Sequence, residues 1–355
     1  MSTFELLERL TTTPGIPGRE HRIRALILEE IDGIFDEITI DPLGSIIAKK
    51  NPVTRKNKPG GKPTKVMLAA HMDQIGFMVS HIDDRGFLYL NPVGGFDPRN
   101  LFSRIVTVCP DPNDSNKDLI GVLNPSGKPI HLASPEERKK VPTVREFIVD
   151  LGLAKKVVDK KITIGDMVVL NSGVHYIGDL IVSQAMDNRV ACWIGIEACK
   201  KLKYHSCEIY CVFTVQEEVG LRGAIASSQN ISPDIGIGID TTLAVDTPGV
   251  APQEACSRLG DGAAITVMDS SAIGDYDLIE TFDRLSKKHK IKTQRSILAA
   301  GGTDTGGLQR SSGGCSAMTL SCPTRYIHTV TETIHTGDIS ACRDLLSHFL
   351  TSLRS

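Results

Sequence analysis

Residues 208–220 read Glu-Ile-Tyr-Cys-Val-Phe-Thr-Val-Gln-Glu-Glu-Val-Gly. The first seven residues are rich in β-branched and aromatic side chains, which favours a buried β-strand, and Glu217 and Glu218 follow it. Two adjacent carboxylates are costly to hold there unless a positive charge lies nearby, and a divalent metal ion would supply that charge. One glutamate could then bind the metal ion while the other handles a proton of a water molecule on it. Glu-Glu pairs are also common on solvated surfaces, so this interpretation requires further ligands elsewhere in the chain.

The composition is that of an ordinary globular protein. The chain has 355 residues, enough for one large domain or two of average size, with 41% hydrophobic and 23% charged residues. A formal net charge of -2 argues against nucleic acid or an anionic membrane as the main partner. No apolar run approaches the roughly 18 residues that span a bilayer.

The compartment is predicted from two further features. The N-terminal residues include acids where a signal peptide has a basic and then an apolar region. The nine cysteines are scattered without a Cys-x-x-Cys pair, and Cys199, Cys207, Cys211 and Cys322 lie in or beside apolar stretches as expected of small buried residues. Both features favour a reducing, cytoplasmic location, and neither supports a cysteine zinc cluster.

Strands and helices alternate in two parts of the chain. The pattern predicts helices at 20–32, 187–202, 222–228, 275–289 and from residue 337, and strands at 37–40, 45–49, 65–70, 208–214, 235–239 and 317–320. This alternation predicts an α/β fold with a mainly parallel sheet flanked by helices. Ser2 and Glu5 predict a capping box for a short first helix, and the Lys-, Pro- and Gly-rich stretch 51–64 predicts an exposed loop.

The stretch between these two parts has a different character. Short β-like runs occur at 77–82, 87–90, 105–108 and 119–123, separated by Gly and Pro. We therefore predict a small β-rich domain at 74–165, inserted into a larger catalytic domain formed by residues 1–73 and 166–355.

His71 and Asp73 directly follow the predicted strand 65–70. A His-x-Asp sequence suits a metal site, because the imidazole can bind the ion while the carboxylate orients the surrounding groups. The alternative is a simple turn. Asp187 opens the predicted helix 187–202, where it could equally be an N-cap residue.

Two further candidates also follow predicted strands. Asp240 comes at the end of strand 235–239, and the carboxyl ends of strands in α/β sheets are where functional sites gather. His328 follows a short strand, although a lone histidine there is more often a core or surface residue. Because the ends of parallel strands converge at one edge, two histidines and three carboxylates could hold two divalent metal ions, with one carboxylate bridging them.

Six ordered motifs carry a resemblance to a known family. They are Ala-His-Met-Asp-Gln-Ile-Gly-Phe at 70–77, Met-Asp-Asn-Arg at 186–189, Gln-Glu-Glu-Val-Gly at 216–220, Ile-Asp at 239–240, Gly-Gly-Thr-Asp at 301–304 and Pro-Thr-Arg-Tyr-Ile-His at 323–328. Nearly the whole chain resembles the tetrahedral aminopeptidase and glutamyl aminopeptidase family, whose members are often labelled endoglucanases. Residues 93–98 and 135–140 also resemble the domain inserted in that family.

The resemblance implies an activity and a set of site residues. It implies that His71, Asp187 and Asp240 hold one metal ion, that Asp187, Glu218 and His328 hold a second, that Glu217 is the general base and acid, and that Asp73 supports the ligands. It also implies two zinc or cobalt ions and the removal of N-terminal residues from peptides. The implied catalytic domain is of the zinc-peptidase type (phosphorylase/hydrolase-like), with a PDZ-like dimerisation domain inserted, and the dimers assemble into dodecamers.

Gln74 departs from the family pattern, because many members carry Glu at this position. It is not at a ligand position, so we expect the chemistry to survive with altered hydrogen bonding or charge nearby. The 302–306 loop either lines the substrate cleft or forms the turn before a helix.

Three other functions are alternatives to an aminopeptidase. A metal-dependent deacylase of small N-acyl compounds would keep the same ligands but would not require a free amine on its substrate. A non-catalytic relative that retains the scaffold would be expected to have lost a ligand or Glu217. A glycosidase needs two carboxylates that flank a sugar, whereas Glu217 and Glu218 are adjacent in the chain.

Overall fold

The computed structural model describes residues 4–54 and 62–353. Ser2 and its predicted capping box, and residues 55–61 of the predicted loop, lie outside the described residues. In the described part, the strands are β1 (Glu37–Ile40), β2 (Ile46–Lys50), β3 (Lys65–His71), β4 (Gly76–Ile82), β5 (Leu88–Val93), β6 (Arg104–Cys109), β7 (Leu119–Pro125), β8 (Phe147–Asp150), β9 (Met167–Leu170), β10 (His175–Ile177), β11 (Leu180–Ser183), β12 (Glu208–Thr214), β13 (Ile235–Leu243), β14 (Ala263–Met268), β15 (Thr293–Ile297), β16 (Ser316–Arg325) and β17 (Glu332–His335). The α-helices there are α1 (Glu5–Thr12), α2 (His21–Ile31), α3 (Pro135–Lys139), α4 (Lys155–Lys161), α5 (Met186–Lys200), α6 (Arg222–Ile231), α7 (Tyr276–His289), α8 (Thr305–Gln309) and α9 (Thr336–Ser352).

Eleven strands form one large mixed sheet. Its main path is β1-β2-β12-β3-β13-β16-β17-β11-β10, and β14 pairs with both β15 and β16. The neighbours β12, β3, β13 and β16 run parallel, whereas the pairs towards both ends of the path are antiparallel. The prediction of a mainly parallel sheet is therefore right only for the centre. Short connections join β1 to β2 and β10 to β11, and such hairpins can link only antiparallel strands.

Helices cover both faces of the central strands. Helix α5 contacts α1, α9, β3 and β13 on one face, and α6 and α8 contact the same sheet on the other. The larger core includes fully buried side chains such as Trp193, Phe213 and Phe349. Because the strands are buried on both faces, they read as continuous apolar runs in the sequence, as expected for the parallel part of an α/β sheet.

Two central strands are longer than predicted. β13 continues to Leu243 because its parallel pairing with β16 extends as far as Leu243 and Thr324. Asp240 thus lies inside β13 rather than at its end, and the strand that precedes His328 is ten residues long rather than short.

The remaining six strands form a closed antiparallel barrel in the order β4-β5-β8-β7-β6-β9. The barrel has its own apolar core, which includes Phe77, Val106, Leu123 and Phe147. Its last strand, β9, lies beyond the boundary predicted at residue 165, and the division into two domains stays a prediction. Arg22 of α2 donates two hydrogen bonds to the Asp118 carboxylate beside β7, which ties the barrel to the helices of the large sheet.

None of the helices in the described ranges is long and apolar enough to cross a membrane.

Candidate metal centre

The central strands bring four predicted site residues to one edge of the sheet. His71 is the last residue of β3, and it pairs with Thr214, the last residue of β12. The chain then passes through Gln216, whose φ of 57° places it in the left-handed region, and delivers Glu217 and Glu218 next to His71. Asp240 lies on β13, the other neighbour of β3.

Two overlapping groups of potential metal ligands meet at Asp187. The Nε2 atom of His71 lies 3.3 Å from Asp187 Oδ1 and 3.8 Å from Asp240 Oδ1. On the other side, Nε2 of His328 lies 3.5 Å from Asp187 Oδ2 and 3.3 Å from Glu218 Oε1. Within each group of three the candidate ligand atoms lie within 4.8 Å of one another. The five predicted ligands are thus brought together, with the two oxygens of Asp187 facing different histidines.

Asp187 does not act as a helix N-cap residue. Asp187 and Asn188 have non-helical backbone angles within α5, and the peptide bond between them is cis. The Asp187 side chain faces the two histidines, and the Asn188 side-chain amide donates to the carbonyl of Ile239, the residue before Asp240. This hydrogen bond joins the start of α5 to the β13 segment that carries the next ligand.

Asp73 holds the loop that carries the glutamate pair. Its side chain is fully buried, and its two oxygens accept hydrogen bonds of 3.1 Å from the backbone N–H groups of Glu217 and Glu218. The Nδ1–H of His71 donates to the Asp73 carbonyl at 3.1 Å. Since a carbonyl can only accept, this contact places the proton on Nδ1 and leaves Nε2 free to bind a metal ion.

Sequence analysis missed Glu332 on β17. This buried carboxylate accepts the backbone N–H of His328 at 2.6 Å and that of Asp187 at 2.9 Å. The available signal was a lone acidic residue between Thr331 and Thr333, in a short β-branched run that begins directly after His328.

Asp304 is a second buried acid near the ligands. The Thr214 hydroxyl donates to Asp304 Oδ2, whereas Oδ1 has no hydrogen-bond partner in the described structure. Burial raises the pKa of Asp304 to about 6. In the 302–306 loop, Asp304 directly precedes α8, as predicted for a turn before a helix, and Gly302 lines a cavity that opens onto the ligands.

The site contains more acidic side chains than basic ones. Burial lowers the pKa of His328, but the Asp187 and Glu218 carboxylates beside its Nε2 atom raise it to about 11. Burial and neighbouring carboxylates raise the pKa of Glu217 and of Asp240 well above the usual range. These shifts are those expected of several acids crowded around only two imidazoles.

The residues present fit divalent metal ions. Imidazole nitrogens and carboxylate oxygens are the donors that zinc and cobalt ions accept. Glu218 Oε1 is buried without a hydrogen-bond partner, and no Lys or Arg of the described chain lines the cavity. The orientation of His71 also leaves its Nε2 facing Asp187 and Asp240, as a shared ion would require.

A cavity of about 500 Å³ opens onto this site. Outside the cavity lining, the backbone at Gly94 and Gly95 of the barrel segment comes close to the ligands. A Cβ atom added to Gly94 would lie 3.4 Å from Glu218 Oε2, and one added to Gly95 would lie 3.6 Å from His328 Nδ1. The 93–98 segment thus lies against the second group of ligands, and Gly94 also needs its φ of 89°.

Gln74 contacts a buried arginine rather than the ligands. Its Oε1 accepts a hydrogen bond of 3.2 Å from Arg189, whose guanidinium also donates to the carbonyls of Leu10, Thr13 and Gly15. Burial lowers the pKa of Arg189 to about 10. A neutral amide therefore occupies the position where a glutamate would place a carboxylate beside this guanidinium.

Comparisons with known proteins agree on one family. Residues 44–345 match the model of the M42 glutamyl aminopeptidase family. A relative from Acetivibrio thermocellus, provisionally named an aminopeptidase, is 38% identical over 344 residues, which are 97% of each chain. The lysyl aminopeptidase of Pyrococcus furiosus is 30% identical over 364 residues, covering 100% of this chain and 98% of the relative.

Solved structures extend the likeness to the fold. Aminopeptidase APDkam598 from the archaeon Desulfurococcus kamchatkensis superposes with a TM-score of 0.91 at 34% identity, over 99% of this chain and 95% of that one. The Pyrococcus horikoshii TET1 peptidase, described as able to assemble into a tetrahedron or a large octahedral shell, superposes with a TM-score of 0.84 at 29% identity, over 99% and 100% of the two chains. The mixed α/β sheet with its helices is thus shared with TET aminopeptidases.

Proposed function

The chain belongs to the M42 glutamyl aminopeptidase family, and we propose that it is an aminopeptidase that removes N-terminal residues from peptides with two divalent metal ions and with Glu217 as general base. The observation that supports this proposal most directly is the pair of three-residue ligand groups that share Asp187. One bridging carboxylate between two imidazole-containing groups is the arrangement needed to hold two ions close together.

The residues divide into ligands and a proton carrier. His71, Asp187 and Asp240 would hold one ion, and Asp187, Glu218 and His328 the other. When bound, zinc or cobalt ions would supply a nucleophilic water at neutral pH and polarise the scissile carbonyl. The proposal leaves Glu217 outside both groups. Its carboxylate lines the cavity, 3.7 Å from His71 Nε2.

Glu217 is suited to proton transfer. It accepts a proton from the attacking water and then delivers it to the leaving amine of the shortened peptide. Asp73 holds its backbone, so the carboxylate keeps a fixed position relative to Glu218.

We also propose that residues 74–165 form a PDZ-like dimerisation domain inserted into a zinc-peptidase-type catalytic domain (residues 1–73 and 166–355). Exposed Ile105 and Val122 are paired on adjacent barrel strands, and exposed Ile120 lies near them, which supports an interface on this face. We propose that these dimers assemble into a dodecamer, and a solved TET1 structure described as a dodecamer supports an assembly of this size. We place the enzyme in the cytoplasm, where its nine free cysteines stay reduced.

The test is hydrolysis of aminoacyl-p-nitroanilides and their N-acetylated counterparts by chelated protein and by protein reloaded with zinc or cobalt. We expect activity on free amines only, lost on chelation and restored by metal. Activity confined to the N-acetylated set would replace the proposal with a deacylase. Inactivity on every substrate despite bound metal would refute catalysis and favour a non-catalytic relative.

A further inference from the structure

We propose that the cavity selects peptides whose N-terminal residue is apolar and uncharged, such as Leu or Met, and discriminates against Glu and Lys. This inference rests on the proposed function, because it concerns the substrate of the same site. The ligands and Glu217 line part of the cavity, so the side chain of the N-terminal residue must be accommodated by the remaining walls.

Those walls carry apolar side chains from four separate segments. Leu221 follows the glutamate pair, Leu243 ends β13, Leu298 and Ala300 follow β15, and Ile327 precedes His328. Gly301 and Gly302 add backbone without side chains. Apart from the ligands and Glu217, no charged residue of the described chain lines the cavity.

The polar side chains of these walls are hydroxyls. Ser271 Oγ donates to Asp269 at 2.7 Å and accepts the backbone N–H of Thr303 at 3.1 Å, so it is already engaged. The Thr242 hydroxyl is buried and has no hydrogen-bond partner among the described residues. A hydroxyl provides no countercharge for an ionised substrate side chain.

Arginines that adjoin these walls are directed to other groups. Arg222 donates to the side chain of Gln216, and Arg310 donates to the carbonyls of Gly306 and Ser271. Arg325 forms a two-pronged ion pair with Asp246. None of the three lines the cavity, so none is placed to bind the carboxylate of an N-terminal Glu.

A charged side chain would therefore lose water contacts in the cavity without gaining a partner of opposite charge. An apolar side chain has no such water contacts to lose, and the removal of its surface from water favours binding. One relative is named a lysyl aminopeptidase. A lysine side chain would need an acid in the cavity beyond the metal ligands and Glu217, and the described walls of this cavity offer none.

The inference is tested with metal-reloaded protein and the Leu, Met, Ala, Glu and Lys p-nitroanilides. We expect kcat/KM for Leu or Met to exceed that for Glu and for Lys by about tenfold or more, with Ala between them. Equal or better turnover of Glu or Lys would overturn the selectivity while leaving the aminopeptidase in place. Inactivity on all five substrates would refute the proposed function itself, and the selectivity with it.

A matched pair of variants tests the wall directly. Ala300 is exposed at the cavity rim, so Ala300→Arg and Ala300→Gln should both fold, which circular dichroism can verify. Arginine at this position would supply the missing cation, and we expect the ratio of Glu to Leu turnover to rise at least threefold. Glutamine adds similar bulk without charge and should leave that ratio unchanged. An unchanged ratio in a folded, active Ala300→Arg protein would contradict the placement of this wall beside the N-terminal side chain.

Discussion

The Glu332 carboxylate accepts a hydrogen bond of 2.6 Å from the backbone N–H of His328, and its other oxygen accepts that of Asp187 at 2.9 Å. The two carboxylate oxygens of Asp73 likewise accept hydrogen bonds from the backbone N–H groups of Glu217 and Glu218, on the opposite side of the site. Two buried acids that bind no ion in our assignment thus fix the main chain of four residues at the site. Each acid joins segments that are distant in the sequence, so the ligand geometry depends on both.

Glu332→Gln should weaken metal binding without removing a ligand. An amide has only one accepting oxygen and places an NH₂ group against the second N–H, so Asp187 or His328 would lose its support. We expect metal affinity to fall about 10- to 100-fold, as for other residues that orient metal ligands. Competition with a chelator measures this affinity. Glu136→Gln, at an exposed position of α3, is the matched control, and equal affinity in both variants would contradict the role of Glu332.

Glu217→Gln should separate metal binding from catalysis. The variant keeps all five proposed ligands but cannot accept a proton, so we expect normal metal content and a loss of about 10²- to 10⁴-fold in kcat. Glu218→Gln should instead lose one ion, because Glu218 belongs to the second ligand group. Elemental analysis and steady-state kinetics on both proteins measure these effects. Normal turnover of metal-replete Glu217→Gln would disprove the general base.

Metal removal should lower thermal stability. The site crowds buried carboxylates around His71 and His328, and ions that bind only the folded protein stabilise it. At a free metal concentration about 100-fold above Kd the gain is about 3 kcal/mol per ion, so chelation should lower Tm measurably and reloading should restore it. Asp187→Asn should respond to chelation much less, because both ligand groups lose their shared member. A Tm that is unaffected by chelation of metal-loaded protein would contradict the site.

Local sequence signals sufficed to place β12. Its predicted bounds coincide with the structure, where its parallel pairing with β3 ends at Thr214 and His71, whereas β13 and β16 extend beyond their predicted bounds. β14 and β15 were missed. The apolar run Ala-Ala-Ile-Thr-Val-Met at 263–268 is too short to be distinguished from a buried helix by periodicity, and the polar sequence of β15 suits an edge strand.

The contacts of two other acids could not be predicted in the same way. Glu332 contacts Asp187, far away in the sequence, as well as nearby His328, and nothing in its own neighbours signals these partners. Asp304 lies in the 301–304 motif, but the motif does not indicate its contact with distant Thr214. The ligands were identified because each belongs to a recognisable motif. The clefts and hydrogen bonds that join these motifs arise only from tertiary packing.

Glu20 is a buried acid outside the metal ligands, and it makes stability depend on pH. Its side chain is almost fully buried at the start of α2, where Oε1 accepts the backbone N–H of Gly18 at 2.8 Å. Burial, and then the negative charge of Asp73, raise the pKa of Glu20 from 4.5 to about 7. The folded protein therefore holds this proton more tightly than the unfolded chain does. The resulting stabilisation is complete below pH 4.5 and is lost as the pH rises through about 7.

Glu20→Gln should therefore stabilise the protein at high pH relative to low pH. A glutamine stays neutral, and its oxygen can still accept from Gly18, so the variant avoids the cost of burying a charge. Relative to wild type, its free energy of unfolding should rise between pH 5 and pH 8 by on the order of 2–3 kcal/mol. Urea titrations of both proteins at several pH values measure this difference, with the exposed Glu136→Gln as control. A difference that does not change with pH would show that neither burial nor the charge of Asp73 raises the pKa of Glu20 in the folded protein.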